Sequence, residues 1–195
     1  MNLHAEMTDA AEAAARTVAN VDASQFALPT PDTEWDVRTL FNHLIVWTSY
    51  SLEARANGES VGQDLIDRDF AADPGFAAAY RAQLDRALTA WADPATWERS
   101  LDVMGSPMPS ADIAALNIAE MVLHGWDLAV ATGQAYTVSE PAAAAALRAV
   151  EANADLFRQY KGFAGPVEVP PGASVLDRVL ALSGRDPAWT PAAGA

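Results

Sequence analysis

Apolar residues recur at intervals of three and four along most of this chain, and proline and glycine interrupt the rhythm at a few places only. That periodicity admits amphipathic helices packed on one another and leaves little room for a sheet. The first stripe, Leu3, Met7, Ala11, Ala14 and Val18, predicts a helix over roughly His4 to Val21. Pro29 and Pro31 break the following loop. Asp36, a good N-cap, opens a second helix that should reach Ala56 with Val37, Leu40, Leu44 and Trp47 on its apolar stripe. A third is expected to start at Asp73-Pro74 and to run through Phe76, Tyr80, Leu84, Leu88 and Trp91. Trp97 to Met104 reads as extended chain and Gly105 to Pro109 as a turn-rich loop. A fourth helix should span about Ser110 to Ala131 and end at Gly133. A fifth, capped by Ser139 and carrying Pro141 in its first turn, should reach about Tyr160. Ser174, with Asp177 three residues on, opens a short last helix. The expected fold is all-α, a four-helix bundle with an additional short C-terminal helix. Residues 1–195 read as one domain, with a Pro/Gly-rich tail from about 162.

Charge and composition remove several classes of function. With 26 acidic and 12 basic residues the formal net charge is −14. Nucleic acid and anionic membrane are bound by clustered basic surface, and the sequence contains none. No apolar run reads as a bilayer span, and the N-terminus lacks the basic region of a secretory signal, so a cytoplasmic location is expected. Cysteine is absent. Disulfides, thiolate ligands and a cysteine nucleophile go with it, and any thiol chemistry would draw on a small-molecule thiol.

Three histidines remain as candidates for chemistry, and their surroundings differ. His4, beside Asn2 and Glu6, reads as a solvated terminal residue. His43 shares a helical face with Leu40 and Trp47, which turns it inward; alone, such a histidine is more often a hydrogen-bonded core residue than a ligand. His124 lies in ALNIAEMVLHGWDLA with Glu120 four residues before it and Asp127 three after. At ~100° per residue these three, with Asn117, project from one sector of an apolar helix. A buried carboxylate without a partner costs several kcal/mol, and Leu101 to Leu147 contains no lysine or arginine. A Glu–His hydrogen bond could compensate it. A divalent metal held by His43, Glu120 and His124 compensates it better, in the two-His, one-Glu arrangement of catalytic zinc sites with one open position. Asp127 could orient His124 through its other ring nitrogen or cap nearby backbone. Trp47 and Tyr50, four and seven residues after His43, are candidates to line the pocket.

The segments TEWDVRTLFNHL, AEMVLHGWDLAVATGQ and LDRVLALSGRDPAW resemble the DinB-like metal-binding superfamily, above all its mycothiol-dependent maleylpyruvate isomerase branch. The resemblance spans nearly the whole chain. It implies a DinB-like four-helix bundle holding a divalent metal, usually zinc with nickel or iron as alternatives, through residues that match His43, Glu120 and His124. The isomerases also carry a C-terminal domain that contributes a catalytic arginine, whereas this chain stops at Ala195 after a short helical tail.

With Glu120 ionised and both histidines neutral, a divalent ion leaves the site at +1. That charge favours a bound thiolate and equally favours an activated water. The leading expectation is a metal-dependent thiol transferase or thiol-dependent isomerase, with a low-molecular-weight thiol such as mycothiol as cofactor and a small electrophile as substrate. A metal-dependent hydrolase and a non-catalytic metal-stabilised binding module are the alternatives. The fourth helix is also apolar on its far side, at Ala115, Ala119, Val122, Trp126 and Val130. The tail from Phe163 to Trp189 is expected to cover that stripe and keep the protein a monomer, with a homodimer as the alternative.

Overall fold

The computed structural model describes residues 2–103 and 106–191. The predicted stripes become the core. Helix α1 (His4–Ala19) buries Met7, Ala11, Ala14 and Val18. Asp36 caps α2 (Val37–Ile45), its carboxylate accepting the Thr39 N–H at 2.8 Å, and Val37, Leu40 and Leu44 are fully buried. The helix continues through a π-helical stretch, Val46–Tyr50, into α3 (Ser51–Ala56). After a four-residue helix α4 (Gln63–Ile66), α5 (Phe76–Trp91) supplies Tyr80, Leu84, Ala87 and Trp91 to the same core. Helix α5 starts later than expected. The Asp73 carboxylate accepts the Gly75 N–H at 2.8 Å and holds Pro74 in a turn ahead of the helix rather than within its first turn. A short helix α6 (Pro94–Trp97) is capped by Asp93.

A second stretch departs from the sequence expectation. Ser106–Pro109, expected as loop, forms strand β2 and pairs antiparallel with β1 (Ser100–Val103), Ser100 facing Pro109 and Val103 facing Ser106. In a two-stranded ribbon both strands are edges, so Pro107 and Pro109 are tolerated where a central strand would exclude them. Met104 and Gly105 lie outside the described residues.

Helix α7 (Ser110–Ala131) is the axis of the fold. It packs against α1, α2 and α8 (Glu140–Gln159), while α5 packs on α1 and α3. Together α1, α2–α3, α5 and α7 make the expected bundle; α8 is layered on α7 and α1, and α9 (Val175–Leu182) packs on α8. At 22 residues α7 is long and apolar enough to cross a bilayer, which the sequence reading did not recognise; most of it is buried among its neighbours. Its termination follows the expected rule: Gly133, at φ +73°, takes the left-handed position after the last turn.

The far face of α7 is covered differently from expectation. Ala119, Val122 and Trp126 are buried, but the helix layered on α7 is α8, and α9 sits on the outer side of α8. An alanine-rich α8 explains this, because Ala142, Ala145, Ala146 and Ala149 bury against α1 and α7 where larger side chains would hold the helices apart. The tail reaches α7 at a polar contact, described next.

Candidate metal centre

His43 on α2 lies beside the pair Glu120 and His124 on α7. The Nε2 atoms of His43 and His124 each lie 3.3 Å from Glu120 Oε2, and one donor atom from each of the three fits within 4.8 Å. A tetrahedral ion with bonds of about 2.1 Å has donor–donor edges of about 3.4 Å. The donor set and its spacing therefore suit a divalent metal. The two imidazole rings pack edge to face at 4.8 Å between centroids.

The electrostatics of the three are interlocked. Burial by itself would raise the Glu120 carboxyl; hydrogen bonds and charge from His124 and His43 overcome it and hold the group below the usual carboxylate range. Glu120 nevertheless keeps 39% of its side chain accessible, on the side of the cleft. Burial likewise opposes charge on His124, yet hydrogen bonds to Asp127 and Glu120 raise it to about 9.

Asp127 lies against His124. Its Oδ2 lies 3.1 Å from His124 Nδ1, which leaves Nε2 directed toward Glu120. Asp127 is completely buried, and its carboxylate accepts two further bonds from Arg185, Nε to Oδ1 at 2.8 Å and a terminal guanidinium nitrogen to Oδ2 at 2.7 Å. The same guanidinium bonds Ser183 Oγ at 3.0 Å. Burial raises the Asp127 carboxyl, but the charge of Arg185 and the hydrogen bonds from His124 and Arg185 bring it below its ordinary value. A chain of contacts thus runs from the C-terminal tail to a candidate ligand. Leu101–Leu147 contains no lysine or arginine, and the partner of Asp127 is Arg185, 58 residues beyond it in the chain. The available signal was SGRDPAW, a segment that carried the family resemblance.

A tryptophan and a cleft border the three residues. Trp35, in the loop before α2, lies 4.6 Å from the His43 ring and 5.7 Å from the His124 ring between centroids. The Thr30 hydroxyl lies 2.9 Å from the carbonyl oxygens of both Trp35 and Asp32 and donates to this pair, bracing the loop that carries the ring. A cleft of about 270 Å³ is lined by His43, Glu120, Trp47, Asn117 and Arg55, with Leu116 and Phe157 as apolar walls. Trp47 lines the cleft as expected. Tyr50 does not: it stacks on Phe70 at 5.3 Å instead. His4, expected to be solvated, is partly buried with Nε2 3.0 Å from the Leu88 carbonyl, tying α1 to α5.

Gly125, which follows His124, has a packing reason. A Cβ there would lie 3.0 Å from the Tyr136 ring, and the Tyr136 hydroxyl donates to the Met121 carbonyl at 3.2 Å. The loop after α7 thereby closes against the helix beside the candidate ligands.

Comparison with known proteins agrees with this architecture. The "Uncharacterized protein Rv0738" of Mycobacterium tuberculosis is 28% identical over 188 residues, which is 90% of this chain and 93% of that protein. "Uncharacterized protein MT0763" of a second M. tuberculosis strain matches to the same extent. Among solved structures, the mycothiol-dependent maleylpyruvate isomerase superposes with a TM-score of 0.56 at 17% identity, over 78% of this chain and 69% of the other. A point mutant of that isomerase superposes with a TM-score of 0.58 at 16% identity, over 98% of this chain and 83% of the other. The likeness in fold therefore includes the tail. The sequence model of the mycothiol maleylpyruvate isomerase N-terminal domain matches residues 7–129, a span that contains His43, Glu120 and His124, and the chain belongs to that family.

Proposed function

We propose that His43, Glu120 and His124 hold a divalent metal, zinc by the chemistry of the donor set, and that the protein is a thiol-dependent isomerase or thiol transferase acting on a small electrophile. The observation that carries this reading is the pair of 3.3 Å donor separations opening on the cleft. Membership of the mycothiol maleylpyruvate isomerase family supports a low-molecular-weight thiol such as mycothiol as cofactor. A bound divalent ion supplies a Lewis acid that lowers the pKa of a thiol and stabilises its anion.

The chain's own residues supply the rest. Asp127 fixes the His124 tautomer through Nδ1, and Arg185 fixes Asp127. Trp35 closes one side of the histidine pair with an apolar ring. Leu116, Trp47 and Phe157 give the cleft a hydrophobic wall for a carbon skeleton, while Asn117 and Arg55 supply polar groups.

Cobalt substitution tests the reading. Addition of a thiol to the cobalt-loaded protein should produce a sulfur-to-metal charge-transfer band, and the Glu120→Ala protein should not take up the metal. A cobalt-loaded protein whose spectrum is unchanged by several thiols at saturation would instead indicate a hydrolase or a structural metal site.

A further inference from the structure

The cleft contains a cation that the metal reading does not use. Arg55 on α3 lines it together with Glu120 and Trp47. Most arginines here are engaged: Arg38 with Asp69, Arg81 with Glu12 and Asp85, Arg158 with Asp155 and Arg185 with Asp127, Arg86 with Gln83, and Arg16 and Arg99 with backbone carbonyls. Arg55 is half-buried, and among the described residues no carboxylate oxygen lies within 4.0 Å of it. Arg68, Arg148, Arg178 and Lys161, also without a hydrogen bond from their side chains among the described residues, are exposed to water. A guanidinium removed from water without a partner is costly. Burial pulls the Arg55 pKa down, and the charge of Glu120 only partly restores it.

Backbone geometry explains how Arg55 reaches the cleft. It stands twelve residues after His43, which in a regular helix at ~100° per residue leaves it about 120° away from the His43 direction. The π-helical stretch Val46–Tyr50 intervenes. A π turn accommodates one extra residue, which sets the following helix back by about 100° and returns Arg55 to within about 20° of His43. The same displacement carries Tyr50 off that face, in agreement with its stack on Phe70. π turns are frequent where a helix builds a functional site.

We infer that Arg55 is the anion-recognition residue of the cleft and selects small molecules bearing a carboxylate. As the identity of a substrate, this rests on the thiol-and-metal reading above; as a binding property it does not. A formal charge of −14 makes the protein's field repel anions at large, so a carboxylate is retained only where a local cation meets it. A guanidinium matches a carboxylate with two parallel N–H donors, and Leu116 and Phe157 offer the adjoining apolar wall for the carbon chain.

The test is calorimetric titration of the full chain with succinate and with its neutral counterpart succinamide, in zinc-loaded and zinc-free protein. Wild type should prefer succinate in both states. Arg55→Gln should weaken succinate by about 10- to 100-fold, leave succinamide unchanged and leave zinc content unchanged; Arg55→Lys should fall between. Binding of 2-mercaptoethanol to the zinc-loaded protein, which needs no anion site, should not respond to Arg55→Gln. Equal succinate affinity in wild type and Arg55→Gln, at equal zinc content, overturns the inference and leaves the metal reading standing. Failure of wild type to bind zinc, with the succinate difference intact, overturns the metal reading and leaves the anion site. Should Arg55→Gln not fold, equal affinity of zinc-free wild type for succinate and succinamide overturns the inference.

Discussion

Arg185 and Asp127 meet through two parallel hydrogen bonds of 2.8 and 2.7 Å, with the carboxylate completely enclosed and its Oδ2 also 3.1 Å from His124 Nδ1. Removing the guanidinium leaves a buried, uncompensated charge, which costs about 3–5 kcal/mol. Arg185→Ala should therefore lower the stability of the protein by that amount in urea denaturation. Because Asp127 orients His124, it should also weaken zinc binding by about 10- to 100-fold. Arg185→Lys, which retains the charge but not the two-pronged geometry, should lose less of both. Unchanged zinc affinity in a folded Arg185→Ala protein would separate the tail from the candidate centre.

The ligand assignment makes a direct prediction. His43→Ala, Glu120→Ala and His124→Ala should each abolish zinc binding or reduce it sharply, measured by elemental analysis and competitive titration. His4→Ala should leave the stoichiometry intact. Its ring nitrogen bonds the Leu88 carbonyl, so this substitution should instead cost about 1 kcal/mol of stability.

Zinc affinity should depend on pH in a defined direction. The metal-free protein holds a proton on His124 up to a pH of about 9, and a ligand nitrogen must be free of its proton. Affinity should therefore rise by about tenfold per pH unit as pH increases toward 9, and level off above it. The sign for stability is the opposite. A folded-state value above the ordinary 6.5 means that the protonated His124 stabilises the metal-free fold fully below about 6.5. That contribution is lost as pH rises through about 9. A zinc affinity independent of pH between 6 and 9 would contradict the assignment of His124.

Gly125→Ala should destabilise by about 1–3 kcal/mol, since the added methyl would press on the Tyr136 ring at 3.0 Å. Zinc stoichiometry should survive it. Tyr136→Phe, which removes the hydroxyl bond to Met121 and relieves part of the crowding, should recover some of the lost stability in the double variant.

A chain ending before Phe163 tests the tail. It loses both α9 and Arg185, so α8 exposes its outer face and Asp127 is left without its main partner. Light scattering should detect aggregation, and zinc affinity should fall as in Arg185→Ala.

Local rules decided most of the helices. Stripes at i, i+3 and i+4 located the buried faces of α1, α2 and α7, and side-chain caps at Asp36, Ser139 and Ser174 marked starts that the fold retains. Glu120 and His124 were legible as a pair because four residues on one helix are a fixed distance apart, and His43 because its face was apolar. What the sequence could not carry was anything dependent on contacts between distant segments or on a change of helical pitch. Arg185 meets Asp127 only because the tail crosses the fold. Arg55 turns toward His43, and Tyr50 away, only because five residues adopt a π turn that packing selects and that a uniform ~100° wheel cannot represent. Spacing along one regular helix is a local property of the chain; the partners of a buried charge are chosen by the tertiary structure, because its desolvation must be compensated by whichever group the fold brings near.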